Sequence, residues 1–513
     1  MVADRKIESG KDNHIMNIMD QTRGLNYEEN LLWEKGRGDH PGVDLPALKG
    51  TKLRTGLAPR ADVGLPQLSE PQVLRHFVRL STKNYSIDHG FFPLGSCTMK
   101  HNPRLNEKIA RLPGFGGIHP LQPESTVQGA LRVMYELQEI LGELTNLRGV
   151  CLTPAAGAHG ELAGLMTIRR AHEMNGQGHR KVILVPDSAH GTNPATAAMC
   201  DYTLRVIPTK EGGRVTVEAF KAALYANDPD GADVAGMMVT NPNTCGLFET
   251  DIITCADLLH KAGGYFYCDG ANFNALVGKV RPGDFGVDVM HINLHKTFST
   301  PHGGGGPGSG PICVNENLRP YLPMPLVVKK EDGSFHLETE GERTTSMGRL
   351  KGFQGQFGMH IRALTYILSH GADGLKQVAE DAVLNANYIL SQLQDDFYVP
   401  YAGPCMHECL LTDKLQKESG VTTLDIAKTL IEHGMHPMTT FFPLVVSGAM
   451  LIEPTETESK ESIDRFITVM KSVAADVKAG DHDKFHAYPQ SAPRRRMDET
   501  KAAREPVLRW KSN

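Results

Sequence analysis

Tyr265-Phe266-Tyr267-Cys268-Asp269-Gly270-Ala271, then Val287-Asp288-Val289-Met290-His291-Ile292-Asn293-Leu294-His295-Lys296-Thr297-Phe298-Ser299-Thr300-Pro301-His302 running into Gly303-Gly304-Gly305-Gly306-Pro307-Gly308, decide the fold. Each opens on an apolar run of strand length and closes on a charged residue among small ones. Between them lies room for one crossover. The same layout recurs on both sides. Apolar runs at 150–152, 182–185, 204–207, 234–239 and 312–314 alternate with helix-like stretches at 161–173, 217–226 and 252–262. Strands alternating with helices predict βαβ units, hence an α/β fold. The expected core is a mainly parallel seven-stranded sheet with helices on both faces. Such a sheet takes its ligands at the carboxyl ends of its strands. Nearly every unusual motif of this chain falls just after one of these runs.

Lys296 follows the buried run Val289–Ile292 and precedes hydroxyl residues and a glycine-rich turn. A lysine amine can form a Schiff base with an aldehyde cofactor if its site is tight and partly desolvated. Glycines let backbone come close to a bulky ligand. Asp269 ends the preceding strand, 27 positions earlier. A carboxylate in that place can pair with the protonated ring nitrogen of pyridoxal phosphate (PLP) and keep the ring an electron sink. Alone, a lysine beside a loop is a surface residue and an aspartate after a strand is a turn cap; together they point to a PLP site. The turn Thr153–Glu161 supplies small residues leading into a helix, a cradle for phosphate made of backbone N–H groups. His190, after the 182–185 run, could lie flat on the ring, and Thr240, after the 234–239 run, could bond its hydroxyl. Gly303, Gly305 and Gly308 satisfy GxGxxG, but the run holds Pro307 and leads into an apparent strand rather than a helix. A dinucleotide fingerprint opens a helix, so an NAD site is rejected.

The bulk numbers exclude other classes. The chain has 513 residues, 40% hydrophobic and 22% charged, with net charge -5. That balance is ordinary for a globular protein and offers no basic footprint for nucleic acid or an anionic membrane. Arg494-Arg495-Arg496 sits among Asp498, Glu499 and Glu505 and reads as a solvated face. No stretch approaches the roughly 20 apolar residues of a membrane span. The first residues lack the apolar core of a secretory signal and carry Asp4, Glu8 and Asp12, so a cytoplasmic protein is expected. The nine cysteines are scattered, without a CxxC pair, as in a reducing compartment. Cys405 and Cys409 flank His407, but no further ligands at sensible spacing appear, and no metal is expected.

Along the chain, residues 1–80 read as an arm, with one helix-like piece from Tyr27 to Lys35 and a Pro-rich stretch from Pro41 to Pro71. Helical periodicity marks 105–112 and 125–146, and long helices fill 352–395. The expected organisation is an arm (1–80), a large PLP-binding α/β domain (81–380), a smaller C-terminal α+β domain (381–480) and a tail (481–513).

In this order, the blocks resemble the glycine cleavage system P-protein family, PLP-dependent glycine decarboxylases. The likeness covers Asn84–Pro103 with Gly95-Ser96-Cys97-Thr98-Met99-Lys100, Gly117–Glu124, Ala155–Glu161 and Ser188–Ala195. It continues through Thr240–Glu249, Asp269–Ala271, Leu294–Gly308, Glu453–Ser459 and Ala502–Trp510. The family exists as one long chain and as two subunits, and this chain is similar to the cofactor-binding half, subunit 2. The resemblance implies a fold-type I, aminotransferase-like architecture. It implies a homologous subunit 1 as partner in a two-plus-two heterotetramer, with a lipoyl carrier H-protein as co-substrate. The reaction implied is decarboxylation of glycine with transfer of the aminomethyl group to the lipoyl arm. Residue by residue, Lys296 carries the Schiff base and Asp269 pairs with the ring nitrogen. Ala156, Gly157 and Ala158 hold the phosphate, His190 stacks on the ring, and Thr240 and Ala271 line it. His295 lies beside the Schiff base; His119 and Gln122 are candidate loop residues. The rival readings are a PLP decarboxylase or lyase acting alone on another amino acid, and a scaffold half that binds no cofactor, which Lys296 speaks against.

Overall fold

The computed structural model describes residues 29–35, 42, 46, 64–209, 212–303 and 308–509. Most of the Pro-rich stretch and much of the expected arm, with Gly304–Pro307 of the glycine run, lie outside them. The chain divides into two units. The smaller comprises 1–89 and 487–513. Its main described element is the helix Glu70–Ser81, opened by a capping box between Ser69 and Gln72. Glu29 there accepts from His76 at 3.0 Å and pairs with Lys35. The helix-like piece is reduced to Leu32–Lys35.

The larger unit, Gly90–His486, holds everything that concerns the site. Its sheet has seven strands: β1 (Gly149–Cys151), β2 (Val182–Pro186), β3 (Thr203–Ile207), β4 (Val234–Thr240), β5 (Tyr265–Gly270), β6 (Val289–Ile292) and β7 (Ile312–Val314), in the order β1-β7-β6-β5-β4-β2-β3. β3, β2, β4, β5 and β6 are parallel, while β7 runs antiparallel between β6 and β1. β2, β4 and β6 are buried along their whole length. An interior strand covered on both faces has no polar side to show, which is why these segments read as unbroken apolar runs. β3 closes one edge and exposes Leu204 and Val206.

The helix Gly157–Met174 lies against β5 and β6 more closely than most side chains permit. A Cβ on Gly164 would stand 2.4 Å from Cε2 of Tyr267, and one on Gly160 would stand 2.7 Å from Cβ of His291. Glycine at these two positions seats the helix, and with it the helix N-terminus, over the strand ends. The long helix Phe357–Leu393 is two helices joined at Gly371, whose φ of 64° breaks the helical path. A hairpin of β8 (Leu326–Lys329) and β9 (Phe335–Glu338) follows the large sheet. Toward the C-terminus β10 (Cys409–Thr412), β11 (Thr439–Thr440) and β12 (Ala449–Ile452) form a small antiparallel sheet in the order β10-β12-β11. The helices Thr423–Glu432 and Lys460–Lys478 accompany it. No helix among the described residues is long and apolar enough to cross a membrane.

Candidate active site

The carboxyl ends of β4, β5 and β6 and the N-terminus of the helix Gly157–Met174 converge on one cavity of about 150 Å³. Lys296, Asp269, Ala271, Thr240, His190, Gly157 and Ala158 line it, joined by Ser96, Glu161, Thr192, Thr244, His291 and Asn293. Two residues singled out from sequence stand just behind that lining. Ala156 is the extended residue preceding the helix, and its carbonyl accepts from the Gly160 N–H at 2.9 Å. His295 is turned away: its Nδ1 accepts from the Ser309 N–H at 3.3 Å and its ring packs edge-on against His302. Burial, His302 and Lys296 depress His295 to about 3. His119 and Gln122 are elsewhere. The His119 N–H donates to Gln122 Oε1 at 2.7 Å, and His119 lines a separate cavity of about 310 Å³ with Phe353, Gln354 and His360.

Asp269 is buried and fully engaged. It accepts from the Ala271 N–H at 2.9 Å and from Asn193 Nδ2 at 3.1 Å, and its Oδ1 lies 3.4 Å from His291 Nε2. Burial works against its charge, but His291, the Ala271 N–H, Asn193 and Lys296 outweigh it and hold the carboxyl below its usual range. His291 is oriented from behind by the Tyr267 hydroxyl, 2.6 Å from Nδ1. Burial keeps that phenol protonated, and His291 Nε2 donates to Asn293 Oδ1 at 2.8 Å. On the other side Glu161 accepts from Thr192 Oγ1 at 2.8 Å and Asn193 Nδ2 at 2.9 Å. The helix and the strand end are thus tied through Asn193. His190 stands on the exposed rim, 2.8 Å from Thr192 Oγ1 and edge-on to Phe442.

Lys296 Nζ donates to the Ser96 carbonyl at 2.9 Å. Ser96 adopts φ 62° in a loop latched onto the small sheet: the Gly95 N–H donates to Leu451 O at 3.2 Å, and Ser96's own N–H donates to Glu408 Oε2 at 2.6 Å. Ser96, Glu161, His291, Glu408 and Glu453 were not singled out from sequence. The signal existed for Glu408, an acidic residue set among Cys405, Met406, Cys409 and Leu410 at the mouth of an apolar run. His407 does not join Cys405 and Cys409 in a metal set; its ring faces Glu408 and Glu453 instead.

The residues present fit PLP. Gly157 leaves a cradle that a Cβ would fill, 2.5 Å from Asn293 Nδ2. The first-turn N–H groups of an eighteen-residue helix have no intrahelical partner and suit a phosphate. Thr240 Oγ1 and Asn193 Oδ1 are buried without hydrogen-bond partners, as groups awaiting a polar ligand are. The glycine run leads into β7 and not into a helix, so nothing favours a dinucleotide there.

Comparison with known proteins agrees. Residues 49–338 match the family model "Glycine cleavage system P-protein", and 378–493 match "Glycine dehydrogenase, C-terminal domain". A Caulobacter vibrioides protein named "Probable glycine dehydrogenase (decarboxylating) subunit 2" is 58% identical over 95% of this chain and 93% of its own. A Listeria monocytogenes protein of the same name is 52% identical over 96% of this chain and 99% of its own. Among solved structures, a glycine decarboxylase (P-protein) in inhibitor-bound form has a TM-score of 0.67 at 20% identity, covering 92% of this chain and all of that one. The Lactobacillus brevis glutamate decarboxylase has a TM-score of 0.60 at 15% identity, covering 85% and 96%. These two likenesses speak for the fold, that of fold-type I PLP enzymes. The near-full-length matches go further: this chain belongs to the glycine cleavage system P-protein family, the PLP-dependent decarboxylating glycine dehydrogenases, as a subunit 2.

Proposed function

We propose that this chain carries the chemistry of a two-subunit glycine decarboxylase and that Lys296 is the covalent anchor of its PLP. The observation that carries the reading is the convergence of Lys296, Asp269, Thr240 and the Gly157–Ala158 helix start on one cavity. When bound, PLP supplies an electron sink for the bond that breaks as carbon dioxide leaves. Asp269, held ionised by His291, Asn193 and the Ala271 N–H, would keep a positive charge on the ring nitrogen. Ala156, Gly157 and Ala158 would hold the phosphate, His190 would cover the ring from the rim, Thr240 would bond its hydroxyl, and Ala271 would line it. Lys296 would be the covalent anchor of PLP, and its amine donates to the Ser96 carbonyl at 2.9 Å. The neutral imidazole of His295 braces the Asn293–Lys296 turn from behind. Selectivity for glycine and retention of the aminomethyl group against protonation require a narrow site that excludes water.

The aminomethyl group then passes to the lipoyl arm of a carrier H-protein. A homologous subunit 1 completes a two-plus-two heterotetramer, and the assembly works in the cytoplasm. We assign 1–80 as an arm, 81–380 as the PLP domain, 381–480 as the small domain and 481–513 as a tail. The rival reading, a solitary decarboxylase for a larger amino acid, finds no support among relatives named as decarboxylating glycine dehydrogenases.

The test is exchange of labelled bicarbonate into the carboxyl group of glycine, with this chain, its subunit 1, PLP and lipoyl carrier protein. Exchange is expected, and Lys296→Ala should abolish it while the melting temperature stays near wild type. Near-normal exchange by Lys296→Ala refutes the assignment of the anchor. No exchange by a wild-type enzyme that has taken up PLP refutes glycine as the substrate.

A further inference from the structure

β10 and β12 pair with Cys409 opposite Ile452, so Glu408 and Glu453 stand side by side just beyond the paired ends. With His407 they form a cluster without solvent exposure, its ligand atoms all within 4.8 Å of one another. Two adjacent carboxyls away from water do not both ionise. Their partners decide which one keeps the charge. Glu408 accepts from the Ser96 N–H at 2.6 Å and from Asn272 Nδ2 at 3.3 Å. Glu453 accepts only from Thr98 Oγ1, at 2.5 Å, and its Oε2 has no partner. Ser96 therefore has Glu408 on its N–H and Lys296 on its carbonyl, in the two successive peptides that flank its Cα.

We propose that Glu408 and Glu453 hold one shared negative charge behind the active site, and that Glu408, by fixing the Ser96 backbone, positions the Lys296 amine and sets how readily it reacts. The proposal rests on Lys296 being the cofactor anchor. It makes Glu408 a positioning residue, since it touches the amine only through Ser96. Burial pushes Glu408 up to about 7 and Glu453 well above its usual range, so the proton sits on Glu453. His407, with both ring nitrogens unpartnered, is driven down to about 3 by burial and by Lys296 and stays neutral. The other groups facing the pair are Glu456, Cys97, Cys405, Cys409 and Cys245. Those facing Lys296 from the large sheet and its loops are Asp269, His295, His302 and Cys97. His295 and His302 are held neutral by burial, so Lys296 is the cation that answers the pair.

The test measures acetylation of Lys296 in the full chain by peptide mapping, from pH 6 to 9, before and after loading with PLP. PLP should protect Lys296 in wild type and Glu408→Gln alike; lack of protection refutes the anchor reading itself. With protection established, Glu408→Gln should speed labelling of the unloaded chain at pH 8 about tenfold, the loss of one stabilising charge. Glu408→Asp should return it toward wild type, and Glu453→Gln should change it little. In wild type the log rate should flatten above about pH 7, as Glu408 ionises and holds the ammonium. A wild-type log rate that climbs without flattening overturns the proposal, whether or not any variant folds. So does a folded Glu408→Gln that labels at the wild-type rate, or zinc bound one-to-one in wild type and lost in Glu408→Gln.

Discussion

Gly164→Ala adds one methyl group to the face of the helix Gly157–Met174 that lies on β5. Two effects oppose each other. Alanine in a helix interior is worth about 1 kcal/mol over glycine. The new Cβ, however, would lie 2.4 Å from Tyr267 Cε2, 2.8 Å from Cδ2 and 3.0 Å from Val289 Cγ1. Carbon atoms rest about 3.5–4.0 Å apart, so ring or helix must retreat by about 1 Å. The ring is fully buried and its hydroxyl is fixed on His291, so the helix moves. Overpacking of this kind costs about 1–3 kcal/mol. With contacts as short as 2.4 Å the clash wins, leaving a net loss of up to about 2 kcal/mol, which lowers the melting temperature by a few degrees in a chain of this size. The displaced helix start carries the Gly157–Ala158 cradle with it, so PLP should bind several-fold to tenfold more weakly, about the worth of one hydrogen bond. Thermal unfolding and a PLP titration followed by absorbance measure both. A variant that melts higher than wild type and binds PLP equally well refutes the argument that these glycines set the helix height.

Thr240→Val should separate stability from cofactor binding. The Thr240 hydroxyl is buried without a partner, so its removal should leave the PLP-free chain as stable or about 1 kcal/mol more stable, while PLP binding weakens several-fold. Changes of the same sign in both measurements contradict this. Acid should unfold the protein through its buried histidines. Burial holds His295, His302 and His407 at about 3, 4 and 3, below the ordinary 6.5. The unfolded chain therefore takes up more protons than the folded one, and stability drains away as pH falls below about 6.5. Each fully shifted imidazole accounts for about 2 kcal/mol between pH 6.5 and 5. His407→Leu should remove about that much of the slope in urea unfolding, and an unchanged slope counts against a neutral His407.

What the sequence disclosed and what it hid follow a physical line. Lys296, Asp269, Thr240 and the Gly157–Ala158 turn are local signals, each a short motif at the end of an apolar run. Parallel topology brings strand ends together without long-range knowledge. Strand direction is not encoded in an apolar run, so nothing marked β7 as the antiparallel strand between β6 and β1. The β8–β9 hairpin is legible: Asp332-Gly333 between Leu326-Val327-Val328 and Phe335-His336-Leu337 is a turn signal. The break at Gly371 was likewise hidden in a segment of steady helical period. Ser96, Glu408 and Glu453 could not be assembled from periodicity, because their meaning lies in contacts between distant parts of the chain.

Those contacts also set an order of events during synthesis. The Ser96 amide bonds a residue 312 positions further on, and Thr98 bonds one 355 positions on. At about 5–20 residues per second, the segment that cups the lysine waits from about a quarter of a minute to over a minute for its partners. The large sheet is complete by Val314 and can collapse long before. A nascent chain thus has Lys296 but no latched Ser96 loop to hold it, and any break before residue 453 leaves that loop unlatched. Uptake of the cofactor into a finished site is an event that follows synthesis of residue 453.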